Sequence, residues 1–115
     1  MSKLDRKEVR FEVIWKAKLR ADQGATYHAC IHNASASGLR IINEQPLIEG
    51  STLEIQLLCR LSRRMSVFTL SGTVVYCTYS ESNIGYKIGV NLTRDCESYQ
   101  NQINQMLEDG YPVYD

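Results

Sequence analysis

Two arginines four positions apart, Arg6 and Arg10 in RKEVR, stand ahead of the first apolar run. More than twenty positions later comes an Asn-x-Ser-x-x-Gly corner, Asn33 to Gly38 in NASASG. An arginine guanidinium is a planar fork of donors that grips phosphate bidentately and stacks on flat rings. Two of them on one short segment can close on a single anionic ligand from one side. Asn33 and Ser35, at alternate positions of an extended backbone, offer an amide and a hydroxyl toward one side, the groups that read a base edge. Gly38 allows a backbone geometry or a close approach that a side chain would block. Each feature alone has a plainer account: basic termini are commonly solvated, and Asn and Ser close hairpin turns by bonding their own backbone.

The elements that must position these residues are mostly strands. Phe11, Val13, Trp15, Ala17 and Leu19 alternate with Glu12, Ile14, Lys16 and Lys18, the pattern of a half-buried strand. A turn at Asp22-Gln23-Gly24 leads into TYHACIH, where Tyr27, Ala29 and Ile31 share a face, so the pair reads as a hairpin. LRII after the corner is a short third strand, and NEQPLIEGS, with Pro46 and Gly50, is a loop. TLEIQLLCR is a fourth strand, LSRRMS a basic connection, and VFTLSGTVVYCTY a long fifth strand with a bulge or bend expected at Gly72. SESN turns the chain into IGYKIGVNL, the sixth strand. The fold class is mainly β: a six-stranded antiparallel barrel. One helix is expected, in DCESYQNQINQMLEDG, with Asp95 as N-cap, Gly110 past the end, and Tyr99, Ile103, Met106 and Leu107 on one stripe against the barrel.

Composition narrows the function classes. A chain of 115 residues has room for one core. No apolar run approaches the roughly 20 residues of a membrane span, and the N-terminus has no signal-peptide block, so the expected compartment is the cytoplasm, without membrane insertion. Net charge is zero but uneven: residues 1–20 hold seven basic and three acidic side chains, whereas residues 95–115 hold five acidic and no basic ones. That balance argues against a general polyanion or nucleic-acid binder and leaves room for a small anionic ligand at the head. The four cysteines form no C-x-x-C pair. His28, Cys30 and His32 share a strand face, but a metal there would need a fourth ligand from elsewhere, so no metal site is assigned. Arg60, Arg63 and Arg64 read as a solvated basic loop.

Arg-x-x-x-Arg followed by Asn-x-Ser-x-x-Gly resembles the signature of the PilZ domain, the bacterial receptor for cyclic di-GMP. SGTVVYC and GYKIGVNL are similar to that family's late strands, and the strand count and closing helix resemble its six-stranded split barrel. The resemblance covers nearly the whole chain. It implies that Arg6 and Arg10 hold phosphate and guanine, that Asn33 and Ser35 contact a guanine edge, and that Gly38 shapes the turn. It also implies an aromatic near the ligand at Tyr76. Asn33 stands where the family more often has aspartate, so a weaker guanine contact is expected. Asp5 stands where a further arginine would favour a stacked ligand dimer.

The expected function is therefore a cyclic di-GMP receptor and adaptor, without a cofactor and without catalysis. Residues 1–10 are expected to be a mobile arm and residues 11–115 the barrel with its helix. The ligand would order the arm, and the altered surface would signal to an effector protein in motility, biofilm or polysaccharide control. No output domain is expected, which fits an adaptor. The alternative is a ligand-independent PilZ-like interaction module. A single-stranded nucleic-acid barrel would want a basic groove with exposed aromatics, and an enzyme would want a catalytic constellation that the sequence does not display.

Overall fold

A computed structural model describes residues 8–61, 63–82, 84–93 and 96–113. Arg6, Asp5 and Asp95 lie outside the described residues, as does the first part of the arm. Six strands follow in order: β1 (Phe11–Ala21), β2 (Thr26–Ala34), β3 (Gly38–Asn43), β4 (Thr52–Leu61), β5 (Arg64–Ser80) and β6 (Gly85–Leu92). Helix α1 (Glu97–Glu108) comes last. The strands pair antiparallel in a closed ring, β1-β2-β3-β6-β5-β4, with β4 returning to β1. Alternation along each strand explains the ring. Leu19, Ile31, Ile41, Ile55, Leu57 and Ile88 are sealed inside, while Lys16, Lys18, His28, Cys30 and His32 face out.

β5 is long because it serves two neighbours. Its first half pairs with β4 and its second with β6, and Gly72 lies at the changeover, opposite both Leu53 and Leu92. A Cβ on Gly72 would stand 2.4 Å from Val90 Cγ1, so the position is a close approach between strands. The expected bulge falls elsewhere, between Val74 and Tyr76. LSRRMS also differs from expectation. Leu61 pairs directly with Arg64, so Arg64, Met65 and Ser66 are strand residues beyond a tight hairpin rather than a loop.

α1 crosses the end of the barrel that holds the start of β1, the β2–β3 corner and the β4–β5 hairpin. Tyr99, Ile103 and Met106 are buried, and the Tyr99 ring meets Phe68 edge-on at 5.7 Å between centroids. Leu107, expected on the same stripe, is half exposed. The N-cap position belongs to Cys96, one residue after the expected Asp95, and its side chain makes no capping bond. Gly110, at φ +75°, turns the chain out of the helix, with its N–H on Leu107 and that of Tyr111 on Met106. The chain then returns to the mouth of β1, where Glu12 N–H donates to the Pro112 carbonyl at 3.3 Å and Val113 bridges Phe11.

All four cysteines are free, in contrasting settings. Cys59 is 1% exposed, and burial pushes its thiol up to about 12, whereas Cys30 lies on the outer face. A thiol reagent at neutral pH is expected to modify Cys30 at once and Cys59 only after denaturant unfolds the barrel. Equal rates in the native protein, read by mass spectrometry, would contradict the packing described for β4.

Candidate functional site

Three strands each carry one extra residue at the same level of the barrel. The ladder slips between Glu12 and Trp15 on β1, between Ile31 and Asn33 on β2, and between Val74 and Tyr76 on β5. On β2 and β5 the slip reverses which face the following residues occupy. On β2, Asn33 would otherwise share the inward face of Ile31; the slip sets it opposite Arg40 and Glu12 on the outer face. On β5, the slip sets Tyr76 opposite Gly89, again outside. One cross-strand row thus runs Glu12, Asn33, Arg40, Gly89, Tyr76.

Asn33 is nevertheless only 3% exposed, because Arg10 lies over it. Arg10 Nη1 donates to Asn33 Oδ1 in a short contact. Asn33 Nδ2 has no hydrogen-bond partner among the described residues. A buried donor left unpaired costs about 1–3 kcal/mol, so the position is poised for an acceptor. Asn33 also lines a cleft of about 710 Å³ on the outer face, together with Ile14, His32, Arg40, Ile42 and Lys87. That volume falls within the usual range of ligand clefts. Its walls combine aliphatic side chains with cations, a surface on which flat rings and phosphates can both rest.

Ser35 is fully buried and does turn chemistry. Its N–H donates to the Gly38 carbonyl at 2.9 Å, and its Oγ accepts from Gly38 N–H at 3.1 Å. The corner is held more firmly than a hairpin turn requires. Tyr99 Oη donates to the Ser35 carbonyl at 2.7 Å, Gln100 Nε2 to Ala36 at 2.8 Å, and Leu92 N–H to Ser37 at 2.8 Å. Gly38 has an ordinary negative φ, so its role is close approach: a Cβ would stand 3.1 Å from the Val90 carbonyl and 3.2 Å from Arg10 Nη2. A side chain there would crowd the Val90 carbonyl and the arginine fork, which would have to give by a few tenths of an ångström.

Two residues that the motif reading did not include, Glu8 and Ser37, complete the arrangement. Glu8 and Arg10 are two apart and reach the same corner, while Val9 between them packs on the core. Glu8 Oε1 accepts from Ser35 Oγ at 3.1 Å and from Ser37 Oγ at 2.5 Å. The signals were present: an acid inside a basic segment, and a serine two positions beyond Ser35. Arg10, Asn33, Ser35 and Gly38 are therefore brought together. Tyr76 shares the cross-strand row of Asn33 but stands three strand spacings, about 14 Å, from it. Its ring lies across Gly89, where a Cβ would come within 2.2 Å of it. Among the described residues no group of three or more His, Cys, Asp or Glu is placed to hold a metal ion, and no helix is long and apolar enough to cross a membrane.

A family model of the PilZ domain matches residues 4–109, spanning both the arginine segment and the corner. The chain belongs to the PilZ domain family. No curated protein sequence matches this PilZ domain. Among solved structures it is similar to the Bacillus subtilis inhibitor of motility MotI/DgrA, at 12% identity and a TM-score of 0.79, over 96% of this chain and 52% of that one. It is similar to the PilZ domain of YcgR from Escherichia coli, determined with c-di-GMP, at 12% identity and a TM-score of 0.68, over 91% and 90% of the two chains. The complex of K. pneumonia MrkH with c-di-GMP matches at 19% identity and a TM-score of 0.66, over 93% of this PilZ domain and 52% of MrkH. The chain thus spans about half the length of MotI and MrkH. At these identities the likeness is one of fold.

Proposed function

We propose that this PilZ domain is a cyclic di-GMP receptor that answers the ligand by rearranging its N-terminal arm, residues 1–10, and so signals to an effector protein. The observation that carries the reading is the Nδ2 of Asn33, unpartnered among the described residues and held beneath the Arg10 fork at the edge of the cleft. Both groups are donors. Guanine offers O6 and N7 as neighbouring acceptors, whereas adenine places a donor amine at the six-position. The c-di-GMP complexes of the YcgR domain and MrkH support the ligand class, and the name of MotI supports an output such as motility. Arg6 joins Arg10 on the phosphates, Ser35 meets a guanine edge, Gly38 keeps the approach open, and Tyr76 marks the far end of the row. The domain acts in the cytoplasm as a binding module rather than an enzyme.

Isothermal titration tests the reading directly. Cyclic di-GMP is expected to bind in preference to cyclic di-AMP, GTP and GMP. A site built to hydrogen-bond one edge rejects an analogue that leaves its buried donors unpaired, at a cost of about 1–3 kcal/mol per base. Equal binding of the guanine and adenine dinucleotides would overturn the assignment. Absence of any binding would favour a ligand-independent interaction module.

A further inference from the structure

We infer that Glu8 is a built-in occupant of the ligand site, a carboxylate that takes the serine donors of the corner and must be displaced when cyclic di-GMP binds. This rests on the receptor reading above and adds to it a residue that sets affinity and couples binding to the arm. The geometry is specific. One carboxylate oxygen of Glu8 accepts from both Ser35 and Ser37, although Glu8 itself is exposed and lies outside the barrel strands. Ser35 is fully buried, so Glu8 is the outermost group on a hydroxyl that otherwise bonds only within its own turn.

The corner is rich in donors: Arg10, Asn33 Nδ2 and the two serine hydroxyls. Such a constellation selects an acceptor, preferably an anionic one. Glu8 supplies that acceptor from within the chain. A cyclic dinucleotide brings base carbonyls and two phosphate charges to the same donors. Its phosphates and the Glu8 carboxylate are like charges competing for one small volume, so they cannot share it without a penalty. Arg10 can stay over Asn33 and turn its fork to the ligand, whereas Glu8 has to leave. Because Glu8 and Arg10 are only two positions apart along the chain, its departure moves the backbone of the arm. Binding is thereby converted into displacement of a chain segment at the barrel mouth, beside Pro112 and Val113, which reach the start of β1.

The test compares the parent with Glu8→Gln and Glu8→Ala. Neither change touches the barrel core, so folding is preserved. Glu8→Gln keeps an acceptor for the serines and removes the charge; it is expected to bind cyclic di-GMP about threefold to tenfold more tightly in calorimetric titration. Glu8→Ala removes both and is expected to gain about tenfold or more. Without ligand, the Val9 and Arg10 amides of Glu8→Ala should exchange with solvent several-fold faster than in the parent. If the parent binds and neither variant binds more tightly, Glu8 is not a competitor and the inference is overturned alone. If none of the three proteins binds cyclic di-GMP, the receptor reading fails and the displacement falls with it.

Discussion

Arg10→Ala is expected to weaken cyclic di-GMP binding by tenfold to more than a hundredfold, the loss of about 1–3 kcal/mol for a charge-assisted, forked contact. The free protein should also become less stable. Arg10 precedes the first strand, and its position alone suggests a side chain that packs against little. The structure instead shows it half-buried, with Nη1 on Asn33 Oδ1. Removing it leaves a second polar atom of Asn33 unpaired beside the first, at about 1–3 kcal/mol unless water fills the space. Arg10→Lys separates the two effects. A lysine keeps the charge and can donate to Asn33, but it cannot present two parallel donors or a stacking plane. The lysine variant should therefore recover most of the melting temperature and little of the affinity. Calorimetric titration and thermal denaturation of the same samples check both halves. An alanine variant that binds like the parent would reduce the arm to a solvated tail.

The parts of this molecule that were legible in its sequence are those governed by strict alternation. Phe11, Trp15, Ala17 and Leu19 are inside, as their spacing requires, and so are Tyr99, Ile103 and Met106 at helical spacing. What alternation cannot reveal is the place where it breaks. Asn33 and Ile31 have the same parity in the sequence, yet one extra residue in the β2 ladder puts them on opposite faces. The same holds for Val74 and Tyr76 on β5. A glycine is the obvious bulge signal, and Gly72 drew the expectation there, but that glycine answers a contact with Val90 from another strand. Such contacts join residues far apart in the chain and leave no local trace. Glu8 escaped for a related reason. Its partners, Ser35 and Ser37, lie more than twenty-five positions away, and in the sequence its charge only lowers the basic balance of the arm.

Tyr99→Ala is expected to be the most destabilising single change at the site, by about 3–5 kcal/mol in urea denaturation, out of a typical total of about 5–15. The ring is fully buried against Phe68 and ties the helix to the barrel, and its hydroxyl holds the Ser35 carbonyl. Tyr99→Phe isolates the hydroxyl and should cost only about 1 kcal/mol. Burial first, and the nearby Cys59 second, push the Tyr99 hydroxyl up from 10.0, with Arg10 opposing the shift, so it keeps its proton and remains a donor into the alkaline range. Because the folded value is raised, this contribution is complete below the ordinary tyrosine value and is lost as the pH climbs above it. The two variants should also differ in binding. In Tyr99→Phe the corner keeps Gln100 on Ala36 and Leu92 on Ser37, so affinity for cyclic di-GMP should fall less than tenfold. In Tyr99→Ala the helix loses its anchor, Gln100 is carried away with it, and the backbone that presents Ser35 and Gly38 loses two of its three outside supports. Affinity should then fall further than in the phenylalanine variant, under conditions where both proteins are still folded by circular dichroism. Equal stability of the alanine and phenylalanine variants would mean that the ring is not what joins helix to barrel, and equal affinity would mean that the corner needs no support from the helix.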